Sequence, residues 1–215
     1  LMLELFKRND MLRFNLLICF WWIAVVGVFA QTSPIYFVHD SLVTTDKRKA
    51  TSYGVYGKLS GENVWTLKKY NRWDELICTG TYKDEKLTVP HGKFVYYNGI
   101  SVFNAENSVQ FNSKKTDRYL FQVGAFVDGL KEGLWYEYYP NGKVKSMINY
   151  KFDYYHGDMK MFDRKGLLTF VGYFEGGKRV GNWYDVENKV VEFYKDGIMI
   201  KKSEMTKKRI RSLIQ

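Results

Sequence analysis

A chain of 215 residues with 18% aromatic side chains, three prolines and two cysteines is not a disordered segment, which would lack aromatics. Nor is it a disulfide-stapled scaffold. Tyr and Phe dominate the aromatic set and favour pleated, half-buried surfaces, so the composition points to β structure. The formal charge of +10 is uneven: residues 201–215 carry six cations against Glu204, half of the total, and the body is only mildly basic.

At the front, Leu16 to Ala30 form an uncharged run of fifteen residues preceded by Lys7, Arg8 and Arg13. That length suits a signal-peptide core of about 7–15 residues and falls short of the ~20 needed to span a bilayer. Val28 and Ala30 occupy the positions a signal peptidase reads, so residues 1–30 are expected to be removed and the mature chain to begin at Gln31. It would then be exported: periplasmic, on the outer surface, or secreted. An uncleaved N-terminal anchor is the rival reading. A lipid anchor on Cys19 is disfavoured by the bulky Ile18 before it. Met11 is a second candidate start, with residues 1–10 as an upstream extension. Loss of Cys19 leaves Cys78 alone, read first as a small apolar strand residue and second as a redox or dimerisation thiol.

Beyond residue 50 one pattern recurs: Gly, any residue, Tyr or Phe, then seven positions later Gly or Asn, any residue, and a large apolar side chain. It reads Gly54, Tyr56, Asn63, Trp65; then Gly124, Phe126, Gly133, Trp135; then Ile148, Tyr150, Gly157, Met159; then Gly172, Phe174, Gly181, Trp183. A looser copy has Gly80, Tyr82, Gly92, Phe94, and the last three regular copies stand 24 residues apart. Periods of this size mark repeat architectures. The runs FVDG (126–129), YKDE (82–85), FEGG (174–177) and YKDG (194–197) each end in turn-forming residues. Asn98-Gly99 and Pro140-Asn141-Gly142 suit type I′ hairpin loops. Each unit is thus predicted to be two short antiparallel strands, with units near 54–76, 80–99, 124–144, 148–168 and 172–200. The recurring Gly lets an aromatic ring on the next strand lie flat across the backbone. In residues 133–139, Trp135 and Tyr139 point one way and Leu134, Tyr136 and Tyr138 the other. Such a strand is either apolar on both faces or reset by a bulge.

Residues 100–122 interrupt the spacing and are read as an inserted hairpin or loop, a surface excursion before a binding feature. Residues 201–215 have a helix-compatible composition and are expected to cap the array or fray. The predicted fold is all-β: an elongated antiparallel β-meander of repeated hairpins over 31–200, preceded by a hydrophobic signal-peptide helix and ended by a short basic tail.

His91-Gly92-Lys93-Phe94 with Tyr96-Tyr97-Asn98-Gly99, and Glu132-Gly133-Leu134-Trp135 with Tyr138-Tyr139-Pro140-Asn141-Gly142, resemble bacterial MORN-repeat variants, a family often labelled YwqK-type antitoxin. The resemblance covers roughly residues 54–200. It implies a hairpin-repeat fold and, for function, lipid binding, protein scaffolding, envelope association or an antitoxin role. An export segment fits poorly with neutralising a cytoplasmic toxin. Ile148, Met159 and Lys165 depart from the family pattern.

No catalytic, cofactor or metal site is read. His91 and His156 each precede a unit glycine, a placement the repeat explains, and no spaced Cys/His set accompanies His39 or either of them, as zinc would need. Neither a nucleophile elbow nor a phosphate-binding glycine loop is present. The remaining candidates are aromatic and basic. Trp65, Trp135, Trp183, Tyr136 and Tyr184 are read as either a binding ladder on the sheet face or repeat core. Lys201, Lys202, Lys207, Lys208, Arg209 and Arg211 are read as candidate contacts to anionic membrane or lipopolysaccharide. The expectation is a non-enzymatic module holding a protein partner by its sheet face or edge. The alternative is a membrane- or glycan-surface binder, and nucleic acid ranks last.

Overall fold

The computed structural model describes residues 34–39, 42–59, 61–112 and 116–214. The expected signal peptide and its helix lie outside them. The described elements belong to the contact unit Thr32–Gln215. In its first half are β1 (Ile35–Val38), β2 (Leu42–Thr44), β3 (Ser52–Lys58), β4 (Trp65–Asn71), β5 (Leu76–Tyr82), β6 (Gly92–Gly99) and helix α1 (Ile100–Asn107). In the second are β7 (Arg118–Val127), β8 (Leu130–Tyr138), β9 (Val144–Lys151), β10 (Tyr154–Phe162), β11 (Leu168–Glu175), β12 (Lys178–Asp185), β13 (Val190–Lys195), β14 (Ile198–Glu204) and helix α2 (Lys207–Ile214).

All fourteen strands form one sheet in the order β14-β13-β12-β11-β10-β9-β8-β7-β6-β5-β4-β3-β1-β2. From β3 to β14 it is the antiparallel meander the sequence predicts. Only at the start does β1 slip between β3 and β2. Each strand packs mainly against its sheet neighbours, with α1 added on β6 and β7.

Two kinds of turn alternate. Asp128-Gly129, Phe152-Asp153, Gly176-Gly177 and Asp196-Gly197 each have positive φ at both residues, and each joins strands paired through the residues on either side. That is the type I′ loop, whose twist matches the flanking strands. The same turns tie neighbouring hairpins together. Gly129 N–H donates to Pro90 O at 2.8 Å, Asp153 to Lys131 O at 3.1 Å, Gly177 to Tyr155 O at 2.8 Å and Gly197 to Arg179 O at 3.0 Å.

The opposite hairpin ends differ from the expected I′ geometry. In 139–143 and 163–167 only Gly142 and Gly166 have positive φ. Tyr139 N–H donates to Lys143 O and Asp163 N–H to Leu167 O, both at 2.8 Å, as in a type I turn closed by a left-handed glycine. Asn98-Gly99 is not a turn at all: it ends β6, and Gly99, at φ −74°, is the N-cap of α1.

The interrupting segment therefore holds a helix where a hairpin or loop was expected, and residues 118–122 belong to β7. Asp117 supplies the acceptors Gly99 lacks. Its carbonyl takes Ile100 N–H at 2.7 Å and its carboxylate takes Ser101 N–H at 2.9 Å, satisfying two orphan donors of the helix start. Ile100, Phe103 and Tyr119 form a small core, flanked by Val109, Phe111, Phe121 and Tyr139.

The main core is a row across the sheet. Leu67 pairs with Gly80, Phe94 with Gly124, Trp135 with Ile148, Ile148 with Met159, and Met159 with Gly172. A Cβ placed on Gly80 would lie 2.2 Å from the Phe94 ring, on Gly124 2.0 Å from the Trp135 indole, and on Gly172 2.2 Å from the Trp183 indole. The recurring glycines are thus seats for rings. Gly54 seats Leu67, at 2.6 Å, and not Trp65, so the first copy is offset from the sequence reading. The second glycine of each unit has another cause: Gly133 and Gly181 have open space around the Cβ position but φ near +70°, which other L-residues adopt rarely.

Candidate functional site

Because successive strand residues face opposite sides, the neighbours Trp135/Tyr136 and Trp183/Tyr184 cannot share a face. The structure separates them, so of the two readings the tryptophans follow the core one and do not join the tyrosines in a single ladder. Trp135 is 2% exposed and Trp183 0%. Both are core and offer no surface to a ligand. Edge-to-face rings pack them, with Phe126 5.1 Å from Trp135 and Phe174 4.7 Å from Trp183 between centroids. A cation covers each: Lys131 Nζ lies 4.4 Å from the Trp135 centroid and the Arg179 guanidinium 4.4 Å from that of Trp183. Trp65, at the start of β4, is half-buried with its ring 6.0 Å from Tyr56.

Tyr136 and Tyr184 lie on the other face, in a second cross-strand row. Val95 pairs with Val123, Val123 with Tyr136, Tyr136 with Met147, Met147 with Lys160, Lys160 with Val171, Val171 with Tyr184, and Tyr184 with Val191. The β8 strand is therefore apolar on both faces, and it also carries a register shift between Glu137 and Tyr138. Row members are half-buried. Leu134, Tyr173 and Phe193, displaced by two residues from the row in β8, β11 and β13, are more exposed, at 37%, 43% and 42%. Tyr136 stacks on Tyr138 at 6.2 Å.

The basic tail is not a free tail. Lys201 and Lys202 belong to β14, and Lys202 Nζ meets Glu192 at 3.0 Å. That pairing, with a hydrogen bond from Tyr194, holds the Glu192 carboxyl below its ordinary range. Arg209 donates to Tyr184 Oη at 2.7 Å and stacks on that ring at 4.4 Å, so two of the candidate residues are spent on each other and dock α2. Met205 is buried beside them, its N–H bonded to Lys189 O. Lys207, Lys208 and Arg211 are exposed on α2.

The histidines of the repeat perform one structural task twice. His91 Nδ1 accepts Asp128 N–H and His156 Nδ1 accepts Gly176 N–H, each at 3.4 Å, from the neighbouring I′ turn. Lys83 also pairs with Asp128, and with His91 it holds that carboxyl below the ordinary range. Cys78 is buried, and burial pushes its thiol up to about 11 against the opposing charge of Lys69. It is a packed thiol and a poor nucleophile. Burial likewise raises Tyr82, to about 12, and Tyr96.

Among the described residues no cluster of three or more His, Cys, Asp or Glu is placed to hold a metal. A shallow cavity of about 580 Å³ is lined by His39, Thr51, Asn71, Arg72, Trp73, Ile77 and Arg118. Its one hydroxyl, that of Thr51, donates to Phe37 O at 3.4 Å. A second, of about 550 Å³, lies between α2 and the 188–190 turn. Compared with known proteins, the chain matches no family model and no curated protein.

Proposed function

We propose that this chain is an exported, non-enzymatic repeat module that holds a protein partner in the cell envelope or outside the cell. The observation carrying the proposal is the tyrosine-bearing row of the second face: apolar but for Lys160, half-exposed, and covered among the described residues only where α2 docks on Tyr184. A sheet with an apolar face normally buries it against another element, and here the chain leaves most of it open. The resemblance to MORN-repeat variants and the apolar segment ahead of Gln31 support scaffolding outside the cytoplasm.

The test is site-specific crosslinking in the producing cells. A photoreactive phenylalanine analogue at Tyr136 is expected to yield a discrete adduct with another protein, and the same analogue at buried Trp183 none. Adducts with lipid alone would overturn the reading in favour of the membrane-surface alternative. That alternative now rests on Lys201, Lys207, Lys208 and Arg211, since Lys202 and Arg209 are engaged.

A further inference from the structure

The two edges of the sheet are unequal. β2 is three residues long and β14 seven, and every position of β14 is exposed. Soluble β proteins blunt their edges with short strands, prolines, edge lysines or inward charges, and the two lysines of β14 guard only its far half. β2 follows the first of these devices, whereas β14 has no proline and begins with Ile198, Met199 and Ile200, exposed at 66%, 49% and 60%. Its charge lies at the far end. Lys201 in the strand, then Lys207 and Lys208 at the start of α2, have no acidic partner among the described residues, while Lys202 is turned back onto Glu192. Glu204 is the strand's one carboxylate, so the far end keeps a net positive charge. The edge thus offers unpaired backbone along a gradient from apolar to basic.

We propose that β14 accepts an extended segment of the partner protein as an added antiparallel strand, acidic in its N-terminal half and apolar in its C-terminal half. This rests on the interaction-module reading and names its contact. Main-chain hydrogen bonds would supply affinity and the gradient polarity. Antiparallel addition continues the pairing of the whole sheet and is slightly the more stable arrangement per residue. A second copy is a poor occupant. Antiparallel pairing of two β14 strands about Ile200 or about Lys201 sets the lysines against residues 198–200 or against each other, so neither lysine meets a carboxylate, and like charges directly opposed destabilise a ladder.

The experiment uses the full chain and a short synthetic peptide with glutamates in its first half and valines and threonines in its second. Hydrogen exchange is expected to show new protection at residues 198–204 and nowhere else in the sheet. Methylating alternate peptide nitrogens should abolish binding. The charge-reversed variant Lys201→Glu/Lys207→Glu/Lys208→Glu should bind about tenfold more weakly, as three exposed charge pairs suggest. Undiminished binding of the N-methylated peptide, protection elsewhere, a β14-mediated dimer in light scattering, or protection of β14 by anionic vesicles in place of the peptide would each overturn the proposal. If the peptide fails while Tyr136 still crosslinks to a protein, this inference alone falls. If both fail, the interaction-module reading falls with it.

Discussion

The seating of indoles on glycines makes Gly172→Ala a demanding substitution for so small a change. The added methyl would lie 2.2, 2.4 and 2.5 Å from three atoms of the Trp183 ring. Ordinary carbon contacts are about 3.5–4.0 Å, so the indole must retreat by about 1.3 Å or more. It has nowhere to go: Trp183 is 0% exposed, with Phe174 on one side and Arg179 over its face. Overpacking of this kind costs about 1–3 kcal/mol. Stiffening of the unfolded chain by Gly→Ala returns about 0.4–1 kcal/mol. The net expectation is a loss of about 1–2 kcal/mol, or a fall of about 2–8 °C in Tm for a domain of this size. Gly57→Ala is the control, since nothing lies within 4 Å of its Cβ position and its φ is not positive. It should leave Tm unchanged or raise it. A double variant, Gly172→Ala with Trp183→Met, should destabilise by less than the sum of its singles, because methionine can bend away from the methyl. Thermal unfolding followed by circular dichroism reads Gly172→Ala, Gly57→Ala, Trp183→Met and the double variant against the unmodified chain. Equal Tm values for Gly172→Ala and Gly57→Ala would refute the seating argument.

The other expectations follow from individual partners. Trp135 Nε1 donates to Ala125 O at 3.2 Å, whereas Trp183 Nε1 is buried without a hydrogen-bond partner among the described residues. Trp135→Phe should therefore cost about 1 kcal/mol more than Trp183→Phe in urea unfolding, and equal losses would contradict the assignment. Cys78, with its thiol raised to about 11, should resist iodoacetamide at pH 8 until denaturant is added; rapid labelling of the native chain would refute its burial. Asp128 and Asp163 are held below the ordinary carboxylate range, the first mainly by Lys83 and the second mainly by Leu167 N–H. A lowered folded-state pKa gives stability that is present above the unfolded value of about 3.9 and is lost as pH falls through the folded value. Lys83→Gln should flatten that acid limb in a series of melts between about pH 2 and 5, and an unaltered limb would remove Asp128 from the account.

What could be read from residue types was the hairpin repeat, because glycine spacing and aromatic alternation are local properties that the meander keeps local. Three things were not legible. The type I closure of the 140–142 turn depends on φ at Asn141, and Asn-Gly is compatible with either geometry. The conversion of Asn98-Gly99 into a helix start depends on Asp117, far along the chain and placed only once β7 has formed. The docking of Arg209 on Tyr184 joins residues 25 positions apart through a helix that composition left undecided. The split of Trp135 from Tyr136 was legible in the alternation of residues 133–139, since adjacent strand residues face apart.

The fourth unit, near 148–168, shows what defines a repeat here. Where its neighbours have Gly124 with Trp135 and Gly172 with Trp183, it pairs Ile148 with Met159, so no ring sits over a glycine. Where they place Lys131 and Arg179 over an indole, it places Tyr155, which packs between Tyr150 at 5.1 Å and Phe174 at 4.9 Å. The seated pair and the covering cation have been exchanged as a set. The backbone has not changed: Gly157 keeps its positive φ, Phe152-Asp153 keep the I′ turn, and the hydrogen bonds from Asp153 and Gly177 continue the ladder across the unit. In a quasi-one-dimensional array each unit need satisfy only its neighbours, so a side-chain set can be replaced whole if the strand spacing survives. Across residues 124–185 turn and bulge geometry is therefore what is kept, and the indoles are one way of filling it. The same logic places individuality where no neighbour constrains it: on the open tyrosine row, and along β14, the last strand of the sheet among the described residues.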